Sequence, residues 1–221
     1  MTDLLFSLQL SITVACLATL LVGVIGTAVG YVLAKFSFWG RELLDALFTL
    51  PLVLPPTVVG FYLLNLFGRR EGLGRYLYEW TGWSLLFTPQ AAVIAATVMA
   101  LPLMVKTARA AIESVDPVYE QAAYTLGKSP WQAFWQVTFP LAWRGLAAGL
   151  VLSFARALGE FGATLMVAGN IPGRTQTMPL AIYEATQTGN DALALILVAV
   201  LTITSFSVLV LTNRLGRGRA W

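Results

Sequence analysis

Four long stretches of this chain hold no aspartate, glutamate, lysine or arginine: residues 4–34, 46–68, 80–105 and 192–213. Each reaches the roughly 20 residues that a helix needs to cross a bilayer. In lipid every backbone N–H and C=O must find its partner within the segment, so such runs form helices. The first run would extend about 46 Å at about 1.5 Å per residue. That exceeds a hydrocarbon core of about 30 Å, so it must tilt or emerge. Composition points the same way: 57% of residues are hydrophobic and only 11% charged, whereas about a quarter are charged in soluble domains. The expectation is a single all-α, polytopic membrane domain over residues 1–221, with about five spans near 8–34, 45–67, 88–106, 143–169 and 192–213. No internal repeat is visible.

Several kinds of chemistry are excluded at once. The chain has no histidine, so it can form neither a Ser–His nor a Cys–His pair and no histidine metal site. No catalytic residue and no bound cofactor or metal is expected. The lone Cys16 lies inside the first apolar run and has no partner for an internal disulfide. Thr13-Val14-Ala15 precedes it with no basic residue upstream, which argues against lipoprotein processing and against a cleaved leader. The first segment is expected to remain as a span. A net charge of +3 and a pI near 9.2 reflect orientation in a membrane rather than nucleic-acid binding. With the N-terminus outside, Lys35, Arg41, Lys106, Arg109, Lys128, Arg144, Arg214, Arg217 and Arg219 fall on the cytoplasmic side. Only Arg69, Arg70, Arg75 and Arg174 fall outside. The bias is the one that orients membrane proteins, and it places the C-terminus in the cytoplasm.

The segments between the apolar runs are unequal. Residues 109–140 form the longest polar interruption. Asp116-Pro117 is a helix start, with a capping carboxylate before a proline at the first helical position. Gly127 is a natural stop in the left-handed conformation. Ser129 and Gln132 stand in capping-box register around Pro130, and Pro140 is expected to close the second piece. The result is a helical hairpin, either a solvated linker or a surface on which something docks. Residues 68–87 mix charges with Tyr76, Tyr78, Trp80 and Trp83, as an outer loop at headgroup level does, part of it a short interfacial helix. Residues 169–191 read as a second outer connection.

Two spans carry unusual residues. Leu50-Pro51-Leu52-Val53-Leu54-Pro55-Pro56 removes backbone donors and disfavours helix before each ring. A kink or unwound turn is expected there, either for packing or on a pathway. The fourth span holds Arg156 and Glu160, four apart and so on one helix face. An arginine near the bilayer centre is costly unless paired or hydrated. The pair, with Ser153 and Thr164, either lines a polar pathway that also includes Pro55 and Pro56, or locks two helices. Gly159 and Gly162 are expected to permit close helix approach. Gly127-Lys128-Ser129 imitates the end of a phosphate-binding loop, but Ala122 stands where the first glycine is required. ATP therefore has no recognisable site on this chain.

The string Glu120-Gln121-Ala122-Ala123-Tyr124-Thr125-Leu126-Gly127, followed by Pro140, resembles the EAA loop of inner-membrane permeases of binding-protein-dependent ABC importers. By spacing, the family's glutamate falls on Gln121, with Glu120 one position earlier. The likeness extends over about residues 10–213. Leu50 to Gly60, Leu101-Pro102-Leu103-Met104-Val105, Ala157 to Thr164 and Asn170-Ile171-Pro172-Gly173-Arg174-Thr175 resemble the molybdate-type permeases and their sulfate/thiosulfate relatives. The resemblance implies a type I importer permease in the cytoplasmic membrane of a prokaryote. It implies a homodimer, two separate ATPase subunits that use ATP and Mg, and an extracytoplasmic oxyanion-binding protein. The coupling residues would be Glu120, Gln121, Ala122, Ala123, Gly127 and Pro140, and the cargo molybdate, with tungstate or sulfate as alternatives. A different class, an ion-gradient-driven transporter or channel, would need acidic residues cycling ions within the membrane, for which Glu160 alone qualifies.

Overall fold

The computed structural model describes residues 2–69 and 72–217. Arg70 of the 68–87 segment and Gly218-Arg219 of the basic tail lie outside the described residues. The elements are α1 (Thr2–Lys35), α2 (Arg41–Val53), α3 (Pro56–Leu66), α4 (Gly72–Thr81), α5 (Pro89–Glu113), α6 (Pro117–Thr125) and α7 (Pro130–Ala133). A π-helical turn at Phe134–Thr138 leads into α8 (Phe139–Leu158). Then come α9 (Gly162–Ala168), α10 (Met178–Gln187) and α11 (Asp191–Arg217). Among the described residues four helical stretches are long and apolar enough to cross a membrane: Leu4–Lys35, Pro89–Glu113, Pro130–Leu158 and Asp191–Val210. The α2–α3 pair makes a fifth when taken together across its bend of 114°.

Helix α5 is the axis of the domain. Its most apolar window is 61% buried, against 28% or less for the other three. The helix starts where Thr88 Oγ1 accepts the Ala91 N–H at 3.3 Å and Pro89 takes the first position. Small residues let its neighbours close in. A Cβ at Gly26 would stand 2.6 Å from Met104 Cγ, and one at Gly30 would stand 2.7 Å from Ala108 Cβ. On the other side Gly145 lies against Ala111, and Gly149 against Thr107 and Met104. Gly26-xxx-Gly30 and Gly145-xxx-Gly149 are thus small-residue seams of the kind that packs membrane helices. Gly162 works similarly against Pro56, where a Cβ would lie 2.9 Å from Pro56 Cβ. The expectation for Gly159 does not hold, since a Cβ there would meet only Ala155 O at 3.7 Å.

Of the kink or unwound turn expected in the second span, the structure has the latter, as a complete break. Leu54 is extended at ψ 143, Pro55 follows at ψ 137, and α3 starts at Pro56. Prolines push the residues before them out of helical geometry, and two in succession leave no helical path. Asp45 of α2 lies against Lys106 and Arg109 near the end of α5. Leu63 and Phe67, at and just past the end of α3, lie with Ala91 and Ile94 at its start. The bent pair therefore runs from one end of α5 to the other.

Three boundaries differ from the sequence reading. Helix α5 continues to Glu113, so residues 109–113 of the expected hairpin belong to it; charge marks the edge of lipid, not the end of a helix. It stops before Asp116, which is extended at ψ 124 ahead of Pro117, as the pre-proline position requires. The fourth span is not one helix over 143–169. It breaks at Gly159–Phe161 and resumes as α9. Pro140 does not close the second hairpin piece. The chain stays helical from Pro130 to Leu158, because the preceding turn widens: the Phe139 N–H bonds Phe134 O, five residues back. Such a bulge accommodates a ring that offers no N–H. Within residues 68–87 a short helix, α4, is present as expected, whereas α10 was not foreseen.

Candidate functional site

The first candidate site is the hairpin. Asp116 Oδ1 accepts the Val118 N–H at 2.9 Å, and α6 ends in two reversed hydrogen bonds. Gly127 N–H reaches Tyr124 O at 2.9 Å and Lys128 N–H reaches Ala123 O at 3.1 Å. That is a Schellman motif, which needs the left-handed conformation at Gly127, observed at φ +76. The capping box around α7 is present, with Ser129 and Gln132 exchanging bonds at 3.3 and 3.0 Å. These features were legible from the spacing alone.

The two candidate acidic positions prove to have separate surroundings. Glu120 is turned inward, its side chain 12% exposed, with Lys35 Nζ at 2.8 Å. Thr138 of the π turn donates its hydroxyl to the same carboxylate oxygen. One side chain thus ties α6 to the last turn of α1 and to the start of α8, and Tyr31 packs edge-on against Phe134 beside it. Gln121 and Ala122 are exposed, as are Gly127 and Pro140. Ala123 is buried, so a large residue there would disrupt the hairpin rather than meet a partner. Lys35 and Thr138 were not singled out beforehand; nothing in their spacing points to position 120.

The second candidate site is where the two broken spans meet. Gly162 sits against Pro56, and Gly60 of α3 sits against Ala163 and Met166 of α9. The Leu54-Pro55 break and the Gly159–Phe161 break are therefore neighbours. Glu160, 3% exposed, lies in the second break. Its Oε1 accepts the Ala163 N–H at 2.8 Å and caps the start of α9. Its Oε2 stands 2.7 Å from Arg156 Nη1, close as an ion pair but not aligned as a hydrogen bond. The pair exists, yet not across one helix face, since α8 ends at Leu158. Arg156, Pro55 and Pro56 reach the surface, whereas Ser153 and Thr164 are enclosed in the chain. Ser153 Oγ is buried without a hydrogen-bond partner.

A third polar group lies at the C-terminal end of α5. Asp45 accepts from Lys106 at 2.7 and 2.8 Å and from Arg109 at 3.2 Å. Glu113 takes Arg109 at 2.9 Å and Arg41 at 3.1 Å. Side chains with 20–44% exposure make pairs worth on the order of 1 kcal/mol or less each. The i,i+4 spacing of Arg109 and Glu113 was readable; the pairing with Asp45, 61 positions before Lys106, was not. At the opposite end Glu184 accepts from Asn170 at 2.7 Å and from Gln176, holding the 169–177 loop against α10.

The chain belongs to the family of binding-protein-dependent transport system inner membrane components, whose model matches residues 26–220. It is 47% identical to a putative molybdenum transport system permease protein, YvgM, of Bacillus subtilis, over 90% of this chain and 88% of that one. It is 44% identical to the molybdenum transport system permease protein ModB of Escherichia coli K12, over 96% and 94% respectively. Identity to the sulfate transport system permease protein CysT of Escherichia coli K12 is 36%, over 92% of this chain and 74% of that one. In fold it is similar to a chain of the inward-facing MetNI methionine ABC transporter, with a TM-score of 0.77, 16% identity, and 97% and 94% coverage. The architecture is that of an ABC importer permease.

Proposed function

We propose that this chain is the permease subunit of a molybdate importer, acting as a homodimer with two ATPase subunits and an external oxyanion-binding protein. The observation that carries the substrate is the 44–47% identity, over at least nine-tenths of the chain, to relatives named as molybdenum permeases. The hairpin is the ATPase-docking surface: Gln121, Ala122 and Gly127 meet the ATPase, and Glu120 ties the docked helix to α1 and α8. Arg156 and the Pro55-Pro56 break border the anion's route, with Glu160, Ser153 and Thr164 supporting it from behind. One arginine balanced by one glutamate passes an anion rather than retaining it. ATP and Mg belong to the partner subunit.

Cells without this chain are expected to lose high-affinity molybdate uptake and to regain molybdoenzyme activity when molybdate is supplied in excess. Intact molybdate uptake with defective sulfate uptake would assign the chain to sulfate instead.

The reading also sets the topology at five spans, N-terminus outside and C-terminus in the cytoplasm, with α4 outside and the hairpin inside. The support is the charge bias together with the α2–α3 pair running the length of α5. In a Cys16→Ser background, Arg75→Cys should react with an impermeant thiol reagent on intact spheroplasts and Lys128→Cys should not. Arg75 is 59% exposed, whereas Gly72 is unsuitable, because a Cβ there would come 2.5 Å from Leu66 O. The opposite labelling would invert the orientation.

A further inference from the structure

Helix α2 is attached unlike any other part of the domain. None of its 13 residues is buried, and Leu43, Leu47 and Val53 are 61–77% exposed. An abrupt change of backbone direction bounds it at each end. Gly40, which precedes it, is left-handed at φ +94 with nothing within 4 Å of where a Cβ would stand. At the other end the Leu54-Pro55 break turns the chain by 114°. Beyond that break α3 is anchored to α9 through Gly60 and Gly162, so the break separates a closely packed half from one with no buried residue.

What holds α2 is charge. Its packing is against α5, and there Asp45 bridges Lys106 and Arg109 while Arg41 reaches Glu113. Arg41, Asp45, Lys106 and Arg109 line an open cavity of about 300 Å³ that also reaches Thr49. The arrangement is incomplete: Arg41 Nε is buried without a hydrogen-bond partner, so the clasp makes fewer bonds than its donors allow. Charge-assisted hydrogen bonds are directional, so an exchange of partners is a change between distinct arrangements. A clasp of this kind suits a part that moves between discrete positions.

Its location connects it to both candidate sites. Glu113 is the last residue of α5, and the hairpin cap Asp116 follows three positions later. Glu113 and Arg109 thus stand between the start of the hairpin and the charges that seat α2. The far end of α2 is the break that lies beside Glu160. We propose that Asp45 is a positioning residue for transport: its carboxylate sets α2 on α5, and the clasp opens and re-forms as the hairpin follows the ATPase, carrying that motion to the Pro55 break. The inference rests on the permease reading given above.

The test uses the assembled complex in liposomes, with its ATPase, its binding protein and molybdate. Molybdate uptake by the wild type tests the permease reading itself; the variants are scored as molybdate carried per ATP hydrolysed, relative to that wild type. Asp45→Asn keeps the shape and removes the charge. It is expected to hydrolyse ATP within about twofold of wild type while molybdate per ATP falls about tenfold, the shift that about 1.4 kcal/mol of lost positioning produces. Asp45→Glu restores the carboxylate and should recover the ratio to within about threefold. Lys106→Met removes the more exposed partner and should shift the ratio in the same direction as Asp45→Asn. A purely structural role for Asp45 would lower the yield of complex, or both rates in proportion, with the ratio unchanged. An unchanged ratio in Asp45→Asn, or no recovery in Asp45→Glu, overturns the proposal.

Discussion

Gly127→Val is expected to abolish coupling while leaving insertion and substrate recognition intact. At φ +76 the residue occupies the left-handed region, where a non-glycine side chain costs about 1–3 kcal/mol and a β-branched one falls at the upper end. A Cβ at this position would meet nothing within 4 Å, so the penalty comes from the backbone alone. It falls on the Schellman turn that sets the angle between α6 and α7. Asparagine tolerates this region, so Gly127→Asn should retain most activity and alanine should lie between the two. Ala122 is exposed and adjacent, and Ala122→Trp should hold the docked surfaces apart. In reconstituted liposomes both Gly127→Val and Ala122→Trp are expected to lose at least about tenfold in transport and in stimulation of the ATPase, as about 1.4 kcal/mol or more of lost docking implies. The external binding protein's own affinity should stay unchanged. Wild-type stimulation and transport by both variants would remove the hairpin from the coupling role. Ala123→Trp is a poor substitute for this test, since Ala123 is buried in the hairpin and a failure there would report misfolding.

The second large effect is expected at Glu160. Its carboxylate does two things, capping α9 through Ala163 N–H and balancing Arg156. Removing one partner of a buried pair costs about 3–5 kcal/mol; with Arg156 27% exposed, water recovers part of that and about 2–3 kcal/mol is expected. Glu160→Ala should therefore lower the melting temperature of the purified permease and eliminate transport. The informative variant is the double Arg156→Met/Glu160→Met. It leaves no unpaired charge and fills the space with apolar atoms, so it should recover the stability lost to the unpaired arginine, but not the contribution of about 1 kcal/mol from the lost α9 cap. If the pair only locks helices, transport should return with stability. The surface position of Arg156 beside the proline break supports the other outcome, a stable permease that carries no molybdate. Recovery of uptake by the double variant would reduce the pair to a structural lock.

The two sites were visible in the sequence to different degrees. The hairpin was readable almost to the residue, because caps, boxes and Schellman turns are local. Asp116, Gly127, Ser129 and Gln132 each act on backbone groups within four positions. The role of Glu120 was not, since its partners Lys35 and Thr138 lie 85 positions before it and 18 after. The break at Pro55 was expected, as a kink or an unwound turn. The break at Gly159–Phe161 was not, because Arg156 and Glu160 at helical spacing suggest a continuous face. Pro140 failed as a stop because one widened turn absorbs the missing donor, an option that local rules do not select.

The sequence by itself determined that this is a membrane protein, how many apolar segments it has, which loops carry the positive charge, and where the hairpin is capped and turns. Those properties follow from transfer free energies and from backbone hydrogen bonds closed within a turn, and both act at short range. Only the tertiary structure decided that α5 is the axis and that the glycine pairs 26/30 and 145/149 are its seams. The same is true of the juxtaposition of the two breaks, of Glu120 facing inward while Gln121 faces out, and of Asp45 gathering Lys106 and Arg109. Lipid is as apolar as leucine, so apolar burial does not say which helices pair in a membrane. That choice is made by close backbone approach and by charges meeting across distant segments, and both appear only once the helices are assembled.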